Sequence, residues 1–175
     1  SPYVVDVEHM GGQFMHLQNT EDLSEYKENL FGKYADNPPK LLVLLGSASW
    51  GLLKESIEKQ WKDVPIILCT ETDYVGPQEA YLHRRAIAAE ERTPLTDYRG
   101  NLSLTVFHVP AYLKETVLLM QNLMPEMDEL IFLSDARYIS AQFRSDLKEI
   151  VNKDFPEFEI KDYVAGEMTT DELAD

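Results

Sequence analysis

Two short apolar runs, Leu41–Leu45 and Pro65–Cys69, constrain this chain most. Each is strand length and each is bounded by a breaker, Pro39 before the first and Gly46 after it. Between them Trp50, Leu53, Ile57 and Trp61 recur at helical spacing. Strand, helix and strand in that order form a βαβ unit, in which the two strands lie parallel. An unbroken apolar strand suits a sheet covered by helices on both faces, so the two runs are expected to be adjacent and fully buried.

The pattern repeats along the chain. Tyr3–Glu8 reads as a first strand, ending near Gly11 and Gly12. Thr20 reads as an N-cap before Glu21 and Asp22, and the helix it opens carries Leu23, Tyr26, Leu30 and Tyr34 on one face until Asn37-Pro38-Pro39 stops it. A helix is expected over Gln78–Glu90 and a linker over Arg92–Gly100, with its Pro94 and Gly100. Leu102–Phe107 reads as a strand, Pro110 as the first-turn proline of the next helix, Glu129–Leu133 as a strand, Ile139–Lys153 as a helix and Phe158–Val164 as a strand. Thr169 or Thr170 reads as the cap of one more helix. There is no repeat of fixed period.

Composition narrows the function classes. With 44% hydrophobic and 27% charged residues, the 175-residue chain has the balance of a globular protein. Sixteen basic residues stand against 31 acidic ones, a net charge of −15, and no basic cluster exceeds Arg84-Arg85. Binding to nucleic acid or to an anionic membrane surface needs the opposite balance, so neither is an expected partner. A single cysteine, Cys69, excludes an intrachain disulfide and a cysteine-built metal site. No run of 18 apolar residues occurs, and the first residues lack the pattern of a signal peptide. Any membrane contact is expected through segments outside this chain.

Ligands of parallel α/β sheets bind beyond the carboxyl ends of the strands. That rule selects three loops: Gly46-Ser47-Ala48-Ser49, Thr70-Glu71-Thr72-Asp73-Tyr74 and Asp135-Ala136-Arg137-Tyr138. The first puts hydroxyls and backbone N–H groups at a helix start. It can hold a carboxylate or phosphate, or Ser47 or Ser49 can simply cap the helix, and the two roles are compatible. Glu71 and Asp73 suit acid–base work or a divalent cation, or else a hydrated loop surface. Asp135 and Arg137 can pair with each other or offer opposite charges to a polar ligand. His9, His16, His83 and His108 lack ligand spacing, and no Gly-x-Ser-x-Gly elbow or phosphate loop occurs. No catalytic residue, metal or cofactor is expected.

The segment PKLLVLLGSASWGLLKESIEKQWKDVPIILCTETDY resembles ABC-type substrate-binding proteins and the related sensor regions of bacterial histidine kinases. VPAYLKETVLLMQNLMPEMDELIFLSDARY is similar to their crossover region, and FEIKDYVAGEMTTDELAD to the next strand and helix of their second lobe. The resemblance implies an α/β fold of parallel βαβ sheets, periplasmic-binding-protein type I-like, with two partial lobes at 1–100 and 101–175. It maps the cleft-lining turns onto Gly46–Ser49, Cys69–Tyr74 and Asp135–Tyr138. It implies an extracytoplasmic, periplasmic sensor domain of a two-component histidine kinase that binds a small molecule between its lobes and is not itself an enzyme. A transporter's substrate-binding component and a flavodoxin-like enzyme are the alternatives. The family's complete module has an additional strand and helix before Tyr3 and continues past Asp175, so unpaired sheet edges and a possible homodimer are expected.

Overall fold

A computed structural model describes residues 4–8, 17 and 19–164. The protein is α/β, with six helices and parallel sheets among those residues. It divides into two compact units. One takes in the described residues up to His83 together with Thr93–His108, and the other takes in Arg84–Arg92 and the described residues from Val109 onward.

In the first unit, helix α1 spans Thr20–Lys33. Its cap is Asn19 rather than Thr20: the Asn19 carboxamide oxygen accepts the N–H groups of Glu21 and Asp22, both at 2.9 Å. Strand β1 (Leu42–Leu45), helix α2 (Ser47–Gln60) and strand β2 (Ile66–Thr70) form the expected βαβ unit. A two-residue strand β3 (Tyr74–Val75) and a short helix α3 (Gln78–Leu82) follow. Helix α3 stops eight residues before the expected end at Glu90, and Arg84, at φ 53°, has the left-handed backbone that ends such a helix. The expected linker is structured instead. Strand β4 (Thr93–Pro94) pairs antiparallel with β3, and helix α4 (Leu95–Tyr98) buries Leu95.

Strand β5 (Leu104–His108) completes a three-stranded parallel sheet in the order β1-β2-β5. Leu44, Leu68 and Val106 lie side by side, as do Leu45, Cys69 and Phe107. This pairing places residues 101–108 in the first unit, not in a second lobe beginning at 101, because β5 takes its ladder bonds from β2.

Alternation sends Leu42, Leu44, Ile66, Leu68 and Leu104 to one face of the sheet. There they meet Phe31 of α1 and Trp50, Leu53 and Ile57 of α2, with Trp61 just past its end, in one core. The opposite face is not covered: Val43 is 57% exposed, Leu45 73% and Phe107 56%. The expectation of strands buried on both faces therefore holds for one face only, since both long helices of this unit pack on the same side. Residues 4–8 join no sheet, and Val4, Val5 and Val7 are exposed, so the strand expected over Tyr3–Glu8 is not formed at these residues. The Glu8 carboxylate instead accepts the Tyr34 hydroxyl at 2.6 Å and pairs with Lys33.

In the second unit, a single 3-10 turn at Ala89–Glu91 precedes helix α5 (Leu113–Leu123), strand β6 (Glu129–Ser134), helix α6 (Tyr138–Asp154) and strand β7 (Glu159–Val164). Pro110 precedes α5 rather than opening it, and Tyr112 at φ 50° forms the boundary. Strands β6 and β7 pair in parallel, Leu130 opposite Ile160. Val117, Leu130, Leu147, Val151, Phe155 and Phe158 form the core, with the Phe155 and Phe158 rings stacked at 6.0 Å. The segment Arg84–Arg92 belongs here because the buried Ile87 N–H donates to the side chain of Gln142 on α6. The helix expected from Thr169 or Thr170 lies outside the described residues.

Candidate functional site

The carboxyl ends of β1, β2 and β5 bring Gly46, Thr70 and His108 to one end of the first unit's sheet. Gly46, at φ 86°, turns the chain from β1 into α2 in a conformation that favours glycine, and its N–H donates to the Cys69 carbonyl at 2.8 Å. The next residue sets the chemistry of the turn. The buried Ser47 hydroxyl donates to Glu71 Oε1 at 2.9 Å, and the Ser47 N–H points at the same oxygen from 3.4 Å. A carboxylate from the neighbouring strand end thus sits where the amino terminus of α2 attracts negative charge.

That placement answers both expectations for the turn. Neither serine caps the helix with its side chain: the Ser49 hydroxyl donates to the Gly46 carbonyl at 2.7 Å, and Ser47 serves Glu71. The anion position belongs to the chain's own Glu71. Ala48 lies half-buried in the first turn of α2.

The loop after β2 folds on itself. The buried Thr70 hydroxyl donates to the Thr72 carbonyl at 3.0 Å, and the Thr72 hydroxyl donates to the Tyr74 carbonyl at 2.8 Å. Both threonine side chains therefore hold the loop in shape. Tyr74 lies in β3, and the Asp73 carbonyl receives the Leu95 N–H at 2.9 Å while the Asp73 side chain is exposed. Glu71 and Asp73 do not act as a pair, since one turns to Ser47 and the other to the surface. Among the described residues no three His, Cys, Asp or Glu side chains gather as a metal-holding set.

His108 was not among the expected site residues. Its Nε2 lies 3.3 Å from the Glu71 carbonyl. A carbonyl only accepts, so Nε2 is the nitrogen that donates in this contact. The strand-end rule would have found His108 had β5 been assigned to the first sheet. Below His108, a hollow of about 560 Å³ lies against the core-side face of β5. Leu104 and Val106 of the strand line it, with Leu95, Arg99, Asp73 and His108 around them.

In the second unit, Asp135 lies just past the carboxyl end of β6 and its carboxylate is fully engaged. Oδ1 accepts the Ser140 hydroxyl at 2.7 Å and the Arg137 N–H at 3.0 Å, and Oδ2 accepts Arg137 Nε at 2.5 Å. Burial pulls the Asp135 pKa up, but these three donors and the guanidinium charge outweigh it and hold the carboxyl below its ordinary value. Asp135 and Arg137 are thus a mutual pair at the start of α6. Tyr138, the first residue of that helix, is buried.

No protein-family model, no curated protein and no solved structure matches the chain. No helix among the described residues is long and apolar enough to cross a membrane.

Proposed function

We propose that this chain is a small-molecule binding module, the extracytoplasmic ligand-sensing region of a bacterial sensor histidine kinase, with a periplasmic-binding-protein type I-like fold. The observation that carries this reading is the pair of polar side chains at the carboxyl ends of the first unit's parallel strands, Glu71 and His108, with His108 lining an open hollow. Strand ends of this kind are the usual ligand position in parallel α/β sheets. The chemistry around them favours binding over turnover: Ser47 spends its proton on Glu71, and His108 is oriented by a backbone carbonyl. A flavodoxin-like enzyme would need the turn at Gly46 for a phosphate, and Glu71 repels one there. The reading carries with it a periplasmic location and a symmetric homodimer. The dimer is supported by the outer edge of β1, which no strand pairs among the described residues.

A panel of amino acids, sugars and organic acids, screened by thermal melting, tests the binding reading. A ligand held only by the folded state stabilises it by about 2.7 kcal/mol at a hundred times its Kd. At least one member is expected to raise the melting temperature reproducibly. A panel without effect, or chemical conversion of any member, overturns the reading.

A further inference from the structure

We propose that the hollow against β5 binds a small monocarboxylate with an apolar tail, and that Arg99 holds its carboxylate. This rests on the binding reading above and names the ligand class and the place. The chain has six arginines. Arg85 pairs with Glu91, Arg92 with Asp146, Arg137 with Asp135 and Arg144 with Asp162, and Arg84 also has a partner. Arg99 alone among the described arginines has no hydrogen bond or ion pair, in a chain where acidic residues outnumber basic ones by 31 to 16. Exposed carboxylates are plentiful, yet Arg99 is left without one at the lining of the hollow. A guanidinium offers a planar pair of donors that matches a carboxylate with two parallel hydrogen bonds.

The rest of the lining restricts the ligand. Leu104 and Val106 alternate onto the same side of β5 and, with Leu95, give the hollow an apolar wall that suits a short hydrocarbon chain. The volume of about 560 Å³ falls in the range of small-ligand sites. Asp73 also lines the hollow and repels each negative charge brought there, so a dianion is disfavoured more than a monoanion. His108 spends its Nε2 proton on the Glu71 carbonyl, so that nitrogen does not compete with Arg99 for the anion.

Isotope-labelled protein titrated with isovalerate, isovaleramide and succinate, and followed by amide NMR shifts, tests the proposal. Isovalerate is expected to shift the amides of residues 95–100 and 104–108 saturably. Isovaleramide, without the charge, and succinate, with one charge too many, should each bind at least about tenfold more weakly. Arg99→Gln, at an exposed position, should keep a dispersed spectrum and lose isovalerate binding by a similar factor, and Asp73→Asn should narrow the gap between isovalerate and succinate. The proposal is overturned by the absence of saturable shifts, by equal affinity for the amide, or by an Arg99→Gln variant that binds as the parent does. Shifts confined to residues 46–49 and 70–74 would sink it while leaving the binding reading in place. Saturable binding at the hollow accompanied by turnover would do the reverse.

Discussion

The N–H of Ile87 donates to Gln142 Oε1 at 2.8 Å, and both residues are buried. The same carboxamide donates through Nε2 to Asp146 at 2.8 Å, and Asp146 also receives Arg92, whose Nε reaches back to the Ile87 carbonyl. One side chain of α6 therefore closes a ring of hydrogen bonds around the segment Arg84–Arg92. Gln142→Leu keeps the volume but leaves the Ile87 N–H without a partner, a loss of about 1–3 kcal/mol. Urea unfolding should show that loss, and hydrogen exchange at Ile87 should quicken. An unchanged exchange rate would mean that this bond does not hold the segment.

Much of the fold was legible from local pattern. The strands Leu42–Leu45 and Ile66–Thr70 were plain because proline and glycine bound their apolar runs, and α6 because its apolar residues recur at helical spacing. What was hidden depends on distant partners. Ser47 reads as a cap until Glu71, 24 residues on, is seen to take its proton. Arg92–Gly100 reads as a linker by its proline and glycine, yet Thr93 and Pro94 pair with Tyr74 and Val75. An apolar run cannot say whether one face or two are covered, and so Val43 was misplaced. Arg99 and His108 carry no motif at all; the pairing of β4 with β3 carries Arg99 toward Asp73, and the pairing of β5 with β2 brings His108 to the same hollow.

Val43 offers a direct check on the open face. A strand covered on both sides would make Val43→Asp bury an unpaired charge at a cost of several kcal/mol. At 57% exposure the carboxylate stays in water. The melting temperature should then move by no more than the equivalent of about 1 kcal/mol, reflecting the poorer strand propensity of aspartate. Leu68→Ala, on the covered face and fully buried, should cost about 2–5 kcal/mol in the same measurement. Equal losses for the two variants would show that a layer covers Val43 after all.

Asp135 gives the second unit a defined acid sensitivity. Its folded pKa lies below the ordinary value of 3.8, so its contribution is complete above that value and is lost as the pH falls through the folded one. Asparagine can still accept from Ser140 and from the Arg137 N–H but cannot pair with the guanidinium. Because the pair is well exposed, Asp135→Asn should cost only roughly 0.5 kcal/mol at neutral pH. Stability measured against pH should show the parent and variant converging below 3.8. A constant gap down to the acid limit would assign the effect to something other than the charge.

Gly51 marks a close approach between α2 and α3. A Cβ at that position would lie 2.4 Å from Cε2 and 2.9 Å from Cζ of Tyr81. The ring has little room to retreat: Tyr81 is buried, and its hydroxyl accepts the Gly76 N–H at 2.9 Å. Burial also pushes that hydroxyl's pKa well up, so it stays protonated at any ordinary pH. Helix propensity argues the other way, because alanine is better than glycine inside α2 by about 1 kcal/mol. Steric overlap with a fixed ring costs about 1–3 kcal/mol, so the clash should win and Gly51→Ala should melt lower than the parent. Adding Tyr81→Leu should then recover part of the loss by making room for the new methyl. A Gly51→Ala variant that melts higher than the parent would show that α2 and α3 are not packed this closely.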